Sequence, residues 1–439
     1  MSKSIKFIHT ADVHLGKKLS CNSSKNSKVK DIFINATEQA FKNLVELAVA
    51  EEIDFILIAG DLYDREARSI KSSRFFLKQC QYLNENEIKI YIISGNHDPA
   101  GIENEVFELP ENVHYFSSEK VETIKYKKDN KLAARIIGQS YRQKFENRTM
   151  YNYYTAPDKS VFNIALLHTA LNKDNNRYVP VNKSELLTKN EIHYWALGHL
   201  HQYQKLSQDP SINFPGALQS HNISEQGSKG AILVEVDSNL KIKENFVPLS
   251  PIIFKEIVVD LERENELDNI TKLQQLINEK LEKQFNNIKI NNKSRKYKIK
   301  AAVIRLNIVG RTPVHQYVAD NREELEETLL EDMRIKFSRE SPSLWLHSLI
   351  LRTAKPLKNL EELKKSSQLY QNINQLINDL LTDNELNQEL LAEWGQIWQG
   401  DENAEDRSNY RFYADSKLQK NILEEVEKII ISELIEGGD

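Results

Sequence analysis

The stretch IKFIHTADVH, residues 5–14, is an apolar, β-branched run that breaks off in an aspartate and a histidine two residues apart. The same event recurs in FILIAGDLYD (55–64), IYIISGNHD (90–98), FNIALLHT (162–169) and HYWALGHLH (193–201). Short apolar runs bounded by Gly, Asp and Asn read as buried strands. Loops just past the ends of such strands open into a common crevice, so residues placed there can converge. The side chains delivered this way are Asp12, His14, Asp61, Asn96, His97, His168, His199 and His201. Carboxylate, amide and imidazole with no thiolate suit two borderline-hard divalent cations.

A pair of catalytic cations sits about 3.5–4 Å apart and needs a ligand that reaches both. Asp61 is the natural bridge, since a carboxylate offers two oxygens and Asp61 stands alone in its motif. Asp12 with His14, and His199 with His201, are i, i+2 pairs, which extended backbone puts on one side. Two divalent ions bring four positive charges against the two carboxylates of Asp12 and Asp61. The balance stays positive, which suits a phosphate ester better than a storage or structural role. A lone histidine is more often a hydrogen-bonded core residue, and His9, His114, His193, His221, His315 and His347 are read so. His221, in the loop FPGALQSHN, has the strongest claim to touch substrate, yet turn chemistry alone explains such a loop.

The motifs D-x-H, G-D, G-N-H-D, H and G-H-x-H, in that order, make the chain resemble the calcineurin-like metallophosphoesterases. The resemblance implies an α/β fold, a four-layer α/β/β/α sandwich around two divalent metals. One metal would be held by Asp12, His14, Asp61 and His201, the second by Asp61, Asn96, His168 and His199. It also implies that His97 binds no metal and sits beside the phosphate, where it stabilises the transition state or protonates the leaving oxygen. Asp98 is expected to orient the His97 ring.

At 439 residues and 50.9 kDa the chain is too long for one core, and two or three domains are expected. No apolar run approaches the ~20 residues of a membrane span. The first strand starts almost at once, so no signal peptide is read, and Cys21 and Cys80 are the only cysteines. A disulfide framework is therefore not expected, and a reducing cytoplasm is the default compartment. The net charge of −5 is unevenly spread: from Thr353 onward nine Lys and Arg face eighteen Asp and Glu, a balance of −9 that leaves the rest at +4. The catalytic part need not repel a polyanion.

Residues 1–250 read as the catalytic domain, with helical spacing over 32–51 and 69–86 and a late antiparallel strand at 230–237. Residues 251–352 read as a β-α-β-α-β cap: strand 254–261, helix 267–285, strand 297–310, helix 321–337 and strand 344–351. Residues 353–439 read as an acidic helical region, with a helix over 357–381, a second carrying Trp394 and Trp398, and a last one carrying Ile422, Ile429 and Ile430. The last helix is expected to dock a partner helix, since a polar break leaves it separable.

The metal core does not name the substrate. Between residues 289 and 305 lie Lys289, Lys293, Arg295, Lys296, Lys298, Lys300 and Arg305 and no acidic residue. A plain solvated strand face would have Tyr297, Ile299, Ala301 and Val303 inward and Lys296, Lys298 and Lys300 outward. Seven charges of one sign point instead to a phosphate backbone, with Lys17 and Lys18 extending the track. Over its first 350 residues or so the chain resembles the DNA-repair exonucleases of the SbcD type, its long acidic tail being closer to the YhaO-type branch. That resemblance rests on HTADVHLG, AGDLYD, SGNHD, LLHTAL, ALGHLH and the placement of the cap. It implies a manganese-dependent duplex exonuclease and single-strand endonuclease, a homodimer with the helix after the Asp61 motif as a candidate surface, and an SMC-like coiled-coil ATPase partner. A phosphatase or cyclic phosphodiesterase acting on proteins or small molecules is the alternative, and a non-catalytic ATPase scaffold a third.

Overall fold

The computed structural model describes residues 3–19, 27–100, 105–173, 177–263, 267–337, 340–356, 368–382, 422, 423 and 426. In chain order the catalytic strands are β1 (Ile5–Thr10), β2 (Phe55–Ala59), β3 (Lys89–Ile93), β4 (Val113–Tyr115), β5 (Glu122–Lys128), β6 (Lys131–Gly138), β7 (Phe162–His168), β8 (Tyr194–Gly198), β9 (Gln204–Gln208), β10 (Ser211–Phe214), β11 (Gly230–Val236) and β12 (Ile242–Pro248). They form two six-stranded sheets, ordered β12-β11-β1-β2-β3-β4 and β5-β6-β7-β8-β10-β9. In the first, β1 to β4 run parallel and the 230–237 stretch joins β1 antiparallel, as its sequence reads. In the second, β6, β7, β8 and β10 are parallel.

Strands buried on both faces need apolar residues at every position, which is why the motif runs lack polar alternation. Along β1, Phe7 faces the other sheet, stacking on Phe55 at 5.1 Å and meeting Tyr194 edge-on at 5.4 Å. Ile8 faces the opposite way, in a core with Ile56, Ile58, Ile90 and Ile92. That outer core is closed by helices α2 (Ala36–Ala50) and α3 (Ile70–Glu85), through Phe41, Leu44, Phe76 and Leu83. Each such residue, fully buried, contributes about 1.5–3 kcal/mol. A short α1 (Ser27–Ile34) precedes α2, so the single helix expected over 32–51 is broken at Asn35, where the backbone turns to φ −100° and ψ 9°. Ser69 caps α3 through a reciprocal capping box with Ser72. The second sheet is covered on its far side by a 3-10 turn at Met150–Tyr153 and by α4 (Lys183–Leu187), with Tyr154 stacked on Trp195. The layers are helix, sheet, sheet and helix.

The cap contains β13 (Ile252–Asp260), α5 (Ile270–Ser294), β14 (Ala301–Arg311), α6 (His315–Asp320), α7 (Arg322–Phe337) and β15 (Ser343–Ala354), with strand order β13-β14-β15. Two details differ from the sequence reading. α5 runs on to Ser294, and β14 starts at Ala301, so Lys289 and Lys293 lie on a helix and Lys296, Lys298 and Lys300 in the segment before the strand. The in-out alternation survives: Tyr297 and Ile299 are buried, Lys296, Lys298 and Lys300 exposed. Contacts divide the chain into two compact units. One takes Met1–Ile257, Lys280–Leu306 and Leu330–Leu349, the other Val258–Glu279, Asn307–Leu329 and Ile350–Asp439. Within the first, Ile252, Phe254, Ala301, Val303 and Trp345 share a core with Phe33, Ala36 and Ile223. In the second, α8 (Gln368–Thr382) is the described part of the helix expected over 357–381. Trp394, Trp398, Ile429 and Ile430 lie outside the described residues.

Candidate metal centre

The ligand-bearing loops are laced together by their backbones. Asp12 N–H donates to Gly60 O at 3.1 Å, and Val13 and His14 N–H both donate to Asp61 O, at 2.9 and 3.0 Å. The lacing turns Asp12, His14, Asp61 and His199 into positive φ, at 50°, 51°, 52° and 105°. Left-handed backbone costs an L-residue about 1–2 kcal/mol, and such strain gathers at functional sites. The carboxylates tie further loops: both oxygens of Asp12 accept His199 N–H, at 3.1 and 3.0 Å, and Asp61 Oδ1 accepts His97 N–H at 2.9 Å. The motif glycines are there for room. A Cβ on Gly60 would sit 2.2 Å from His168 Nδ1, one on Gly95 2.2 Å from Asp61 Oδ1, and one on Gly198 1.9 Å from Ala59 O.

All seven expected metal ligands meet in this crevice. Asp61 Oδ2 lies 4.0 Å from His14 Nε2 and 3.4 Å from His168 Nε2, between the two groups. On one side His14 Nε2 faces His201 Nε2 at 3.3 Å, and Asp12, His14 and His201 offer ligand atoms within 4.8 Å of one another. On the other, Asn96 Oδ1 lies 3.0 Å from His168 Nε2 and 3.1 Å from His199 Nδ1. Asp12, Asp61 and His168 form a further cluster within 4.8 Å.

Two divalent cations fit this donor set. Asp12 and Asp61 are buried, and among the described residues neither is paired with Lys or Arg. Such charge is costly without a counter-ion. His14 Nδ1 is buried with no hydrogen-bond partner among the described residues. Burial holds His14 well below the usual imidazole range and brings His199 down to about 3, so both are neutral donors. Burial likewise raises the Asp12 carboxyl. Burial opposes charge on Asp61 and His168 too, but their mutual attraction wins: Asp61 is held well below the usual carboxylate range and His168 is raised to about 9. A cation at Asp61 would take the place of that imidazolium.

His97 is half-buried and packs edge-on against His14 at 4.8 Å, and with His14 and Asp64 it forms another group within 4.8 Å. The Asp98 carboxylate accepts three backbone N–H groups. Oδ2 accepts Leu62 N–H at 2.7 Å and Tyr63 N–H at 3.2 Å, and Oδ1 accepts Gly95 N–H at 2.8 Å. Asp98 buckles the loop after β2 to the loop after β3. Burial, with the Asp61 charge, pushes its carboxyl up to about 7.

Three residues of this neighbourhood escape the motif reading. Asp64 lies beside His97, as above. His221, read as structural, stands edge-on to His14 at 5.1 Å and 6.2 Å from His201, both its ring nitrogens buried without partners among the described residues. Glu225 Oε1 lies 3.0 Å from His201 Nδ1. The sequence signal for His221 and Glu225 is the Pro215-Gly216 turn after β10, which brings Ala217 N–H onto His201 O at 3.1 Å and returns the chain to the site.

The basic run is less bare than its sequence reads. Lys289 pairs with Glu340 at 2.7 Å and Lys296 lies 3.9 Å from Glu51. Lys298 Nζ donates to Asn292 O and Lys293 O, closing the C-terminus of α5. Lys300 donates to Gln39 Oε1, Arg295 to Tyr297 O, and Lys17 lies 3.4 Å from Asp64. Lys293 and Lys18 are exposed, and the half-buried Arg305 has an Nε without a partner among the described residues.

The family model described as calcineurin-like phosphoesterase matches residues 5–203. The chain is 34% identical to the uncharacterized metallophosphoesterase YhaO of Bacillus subtilis, over 64% of this chain and 69% of that one. It is 26% identical to the SbcD component of nuclease SbcCD of Staphylococcus epidermidis, over 58% of this chain and 72% of that one. It is 24% identical to the DNA double-strand break repair protein Mre11 of Archaeoglobus fulgidus, over 50% and 52%. No described helix is long and apolar enough to cross a membrane. With the D-x-H, G-D, G-N-H, H and G-H-x-H ligands gathered at the ends of two packed sheets, this chain belongs to the calcineurin-like metallophosphoesterases, a family of metal-dependent phosphoester hydrolases.

Proposed function

We propose that this chain is a DNA phosphodiesterase, an exonuclease on duplex ends and an endonuclease on single strands. It would work as a homodimer with an SMC-like coiled-coil ATPase, and with manganese as its metal. The observation that carries the reading is the convergence of Asp12, His14, Asp61, Asn96, His168, His199 and His201 around one carboxylate. Choosing DNA among phosphoesters is supported by the names of the nuclease and double-strand-break relatives. The exposed Lys293, Lys296, Lys298 and Lys300, with Lys289, Arg295 and Lys17 at the margins, are the proposed backbone contacts.

When bound, the two cations lower the pKa of water and draw charge from the phosphoryl oxygens. The chain's own residues do the rest. Asp61 stands between the two ligand groups, and Asp12 and Asp61 hold the His199 and His97 loops in register through their backbone N–H groups. Water adds to phosphorus as the bond to the sugar oxygen breaks, and His97 gives that oxygen a proton, which the ring regains from the one that the attacking water loses to solvent. Asp64 offers a carboxylate oxygen within 4.8 Å of the His97 and His14 ring nitrogens.

The test is cleavage of end-labelled linear duplex and hairpin DNA by the purified chain with manganese or magnesium, beside His97→Ala. The expected result is shortening by the wild type and a loss of roughly 10² to 10⁴ in rate with both metals retained. Turnover of bis(p-nitrophenyl) phosphate with no cleavage of DNA, even with an added ATPase partner, would favour a phosphatase or cyclic phosphodiesterase. The acidic partners of Lys289 and Lys296 are the one feature that leans that way.

A further inference from the structure

The two-metal reading gives no task to Glu225, a buried carboxylate beside the centre. Glu225 is 8% exposed, on the loop that returns after β10. Its oxygens are shared among three donors: Oε1 with His201 Nδ1 at 3.0 Å and Asn222 Nδ2 at 3.0 Å, Oε2 with His221 N–H at 2.9 Å. Ser220 Oγ donates to Glu225 O at 2.7 Å, so the loop holds the residue in place before any ligand arrives.

A neutral imidazole carries one N–H, and whatever accepts it decides which nitrogen is left with a lone pair. A carboxylate on His201 Nδ1 keeps the proton there and leaves Nε2 bare, and Nε2 is the atom that faces His14 Nε2 at 3.3 Å. His168 uses the same device with a different acceptor. Its Nδ1 donates to Ala59 O at 2.9 Å, and its Nε2 lies 3.0 Å from Asn96 Oδ1. Carboxylates behind ligating histidines fix ring orientation and raise ligand basicity, and their loss costs roughly 10- to 100-fold in metal affinity.

We infer that Glu225 is a positioning residue for the first metal, selecting the Nδ1–H tautomer of His201 and aiming Nε2 at the cation shared with Asp12 and His14. The competing arrangement is a third cation held by His201, His221 and Glu225, whose ligand atoms also lie within 4.8 Å. It would need His201 to ligate through both nitrogens at once, which a neutral imidazole does not do. Glu225 therefore acts on the metal through His201 and not as a ligand.

The test is titration of the full metal-free chain with manganese alone, by calorimetry, for wild type, Glu225→Gln and Glu225→Ala, with a thermal melt of each. Two sites are expected in the wild type. Glu225→Ala should weaken one of them by roughly 10- to 100-fold and leave the other unchanged. Glu225→Gln keeps an oxygen for the Nδ1–H and should recover most of the loss. Equal affinity at both sites in folded Glu225→Ala overturns the inference while the two-metal reading stands. So does a third site in the wild type that Glu225→Gln abolishes. A wild type that binds no metal removes the two-metal reading itself and this inference with it. If Glu225→Ala does not fold, the decision rests on the His201 ring in the metal-free wild type, read by nitrogen-15 chemical shifts: a proton on Nδ1 supports the assignment, and a proton on Nε2 refutes it.

Discussion

Gly95→Ala puts one methyl group against the centre of the site. The added Cβ would stand 2.2 Å from Asp61 Oδ1 and 2.8 Å from both His168 Cε1 and Nε2. Ordinary contact begins near 3.4 Å, so the carboxylate must retreat by about 1.2 Å or the loop after β3 must move by as much. Gly95 does not occupy left-handed backbone, so alanine is tolerated by the main chain and the strain falls on the ligands. Retreat of Asp61 Oδ1 breaks the 2.9 Å bond from His97 N–H and shifts the proposed acid along with the proposed bridging carboxylate. Overpacking of this size costs about 1–3 kcal/mol of stability, and a 1 Å misplacement of a catalytic group costs about 10² in rate. The variant should therefore fold with a lowered melting temperature, bind manganese at least about tenfold more weakly, and hydrolyse bis(p-nitrophenyl) phosphate about 10² more slowly. Gly227→Ala is the control. Its φ of +89° strains alanine, but its Cβ meets nothing within 4 Å, so it should lose stability and keep its metal affinity. A folded Gly95→Ala with wild-type affinity and rate would refute the claim that this glycine exists to make room for Asp61 and His168.

Asp98→Ala removes the acceptor of three backbone N–H groups, from Leu62, Tyr63 and Gly95, and should cost about 3 kcal/mol or more in urea unfolding. A loss under about 1 kcal/mol would mean the buckle does not hold the two loops. His9 is the pH-sensitive core histidine. Burial lowers it to about 3, and its ring nitrogens lie 3.0 Å from Tyr194 Oη and from Leu197 O. Its folded pKa lies below its unfolded value near 6.5, so its contribution is whole above pH 6.5 and is lost as pH falls toward 3. Between pH 7 and 5 the metal-free wild type should lose roughly 2 kcal/mol more than His9→Asn does. Parallel curves for the two proteins would show that His9 is charged in the folded state.

What was legible in the sequence is what burial imposes locally. β1, β2, β3, β7 and β8 are covered on both faces, so they read as unbroken apolar runs, and the loops that end them carry the ligands. The β5–β6 hairpin was not legible, because β5 alternates half-buried and exposed residues in ETIKYKK, a pattern shared with charged loops. The far end of α5, NNIKINNKS, looks too polar to continue a helix. It does so because Lys298 and Asn292 close it, with Lys298 donating to two of its last carbonyls and Asn292 Oδ1 accepting Ile299 N–H. Asp98 follows His97 in the chain, but adjacency says nothing of the three backbone N–H groups that its carboxylate accepts from two separate loops. The basic run looked uncompensated because charge was counted along the chain, while Glu340 and Glu51 arrive from elements far away in sequence.

The features that local pattern could not give are also the ones that make the centre depend on its cations. Four of the candidate ligand residues hold left-handed backbone, and two carboxylates are buried without a Lys or Arg partner among the described residues. Each of these costs free energy in the metal-free chain. Both costs fall on the same loops, which Asp12, Asp61 and Asp98 stitch together through backbone N–H groups. A ligand that binds only the folded state stabilises it by mass action, by about 2.7 kcal/mol at a hundredfold excess over Kd. Here that gain lands where the strain is stored. Metal binding should therefore tighten the loops after β1, β2, β3 and β8 and leave the outer core around Phe41 and Phe76 unchanged. Amide exchange with and without manganese separates the two regions. Uniform protection across both would mean that the strain is spread through the fold and that the loops were not waiting for the metal.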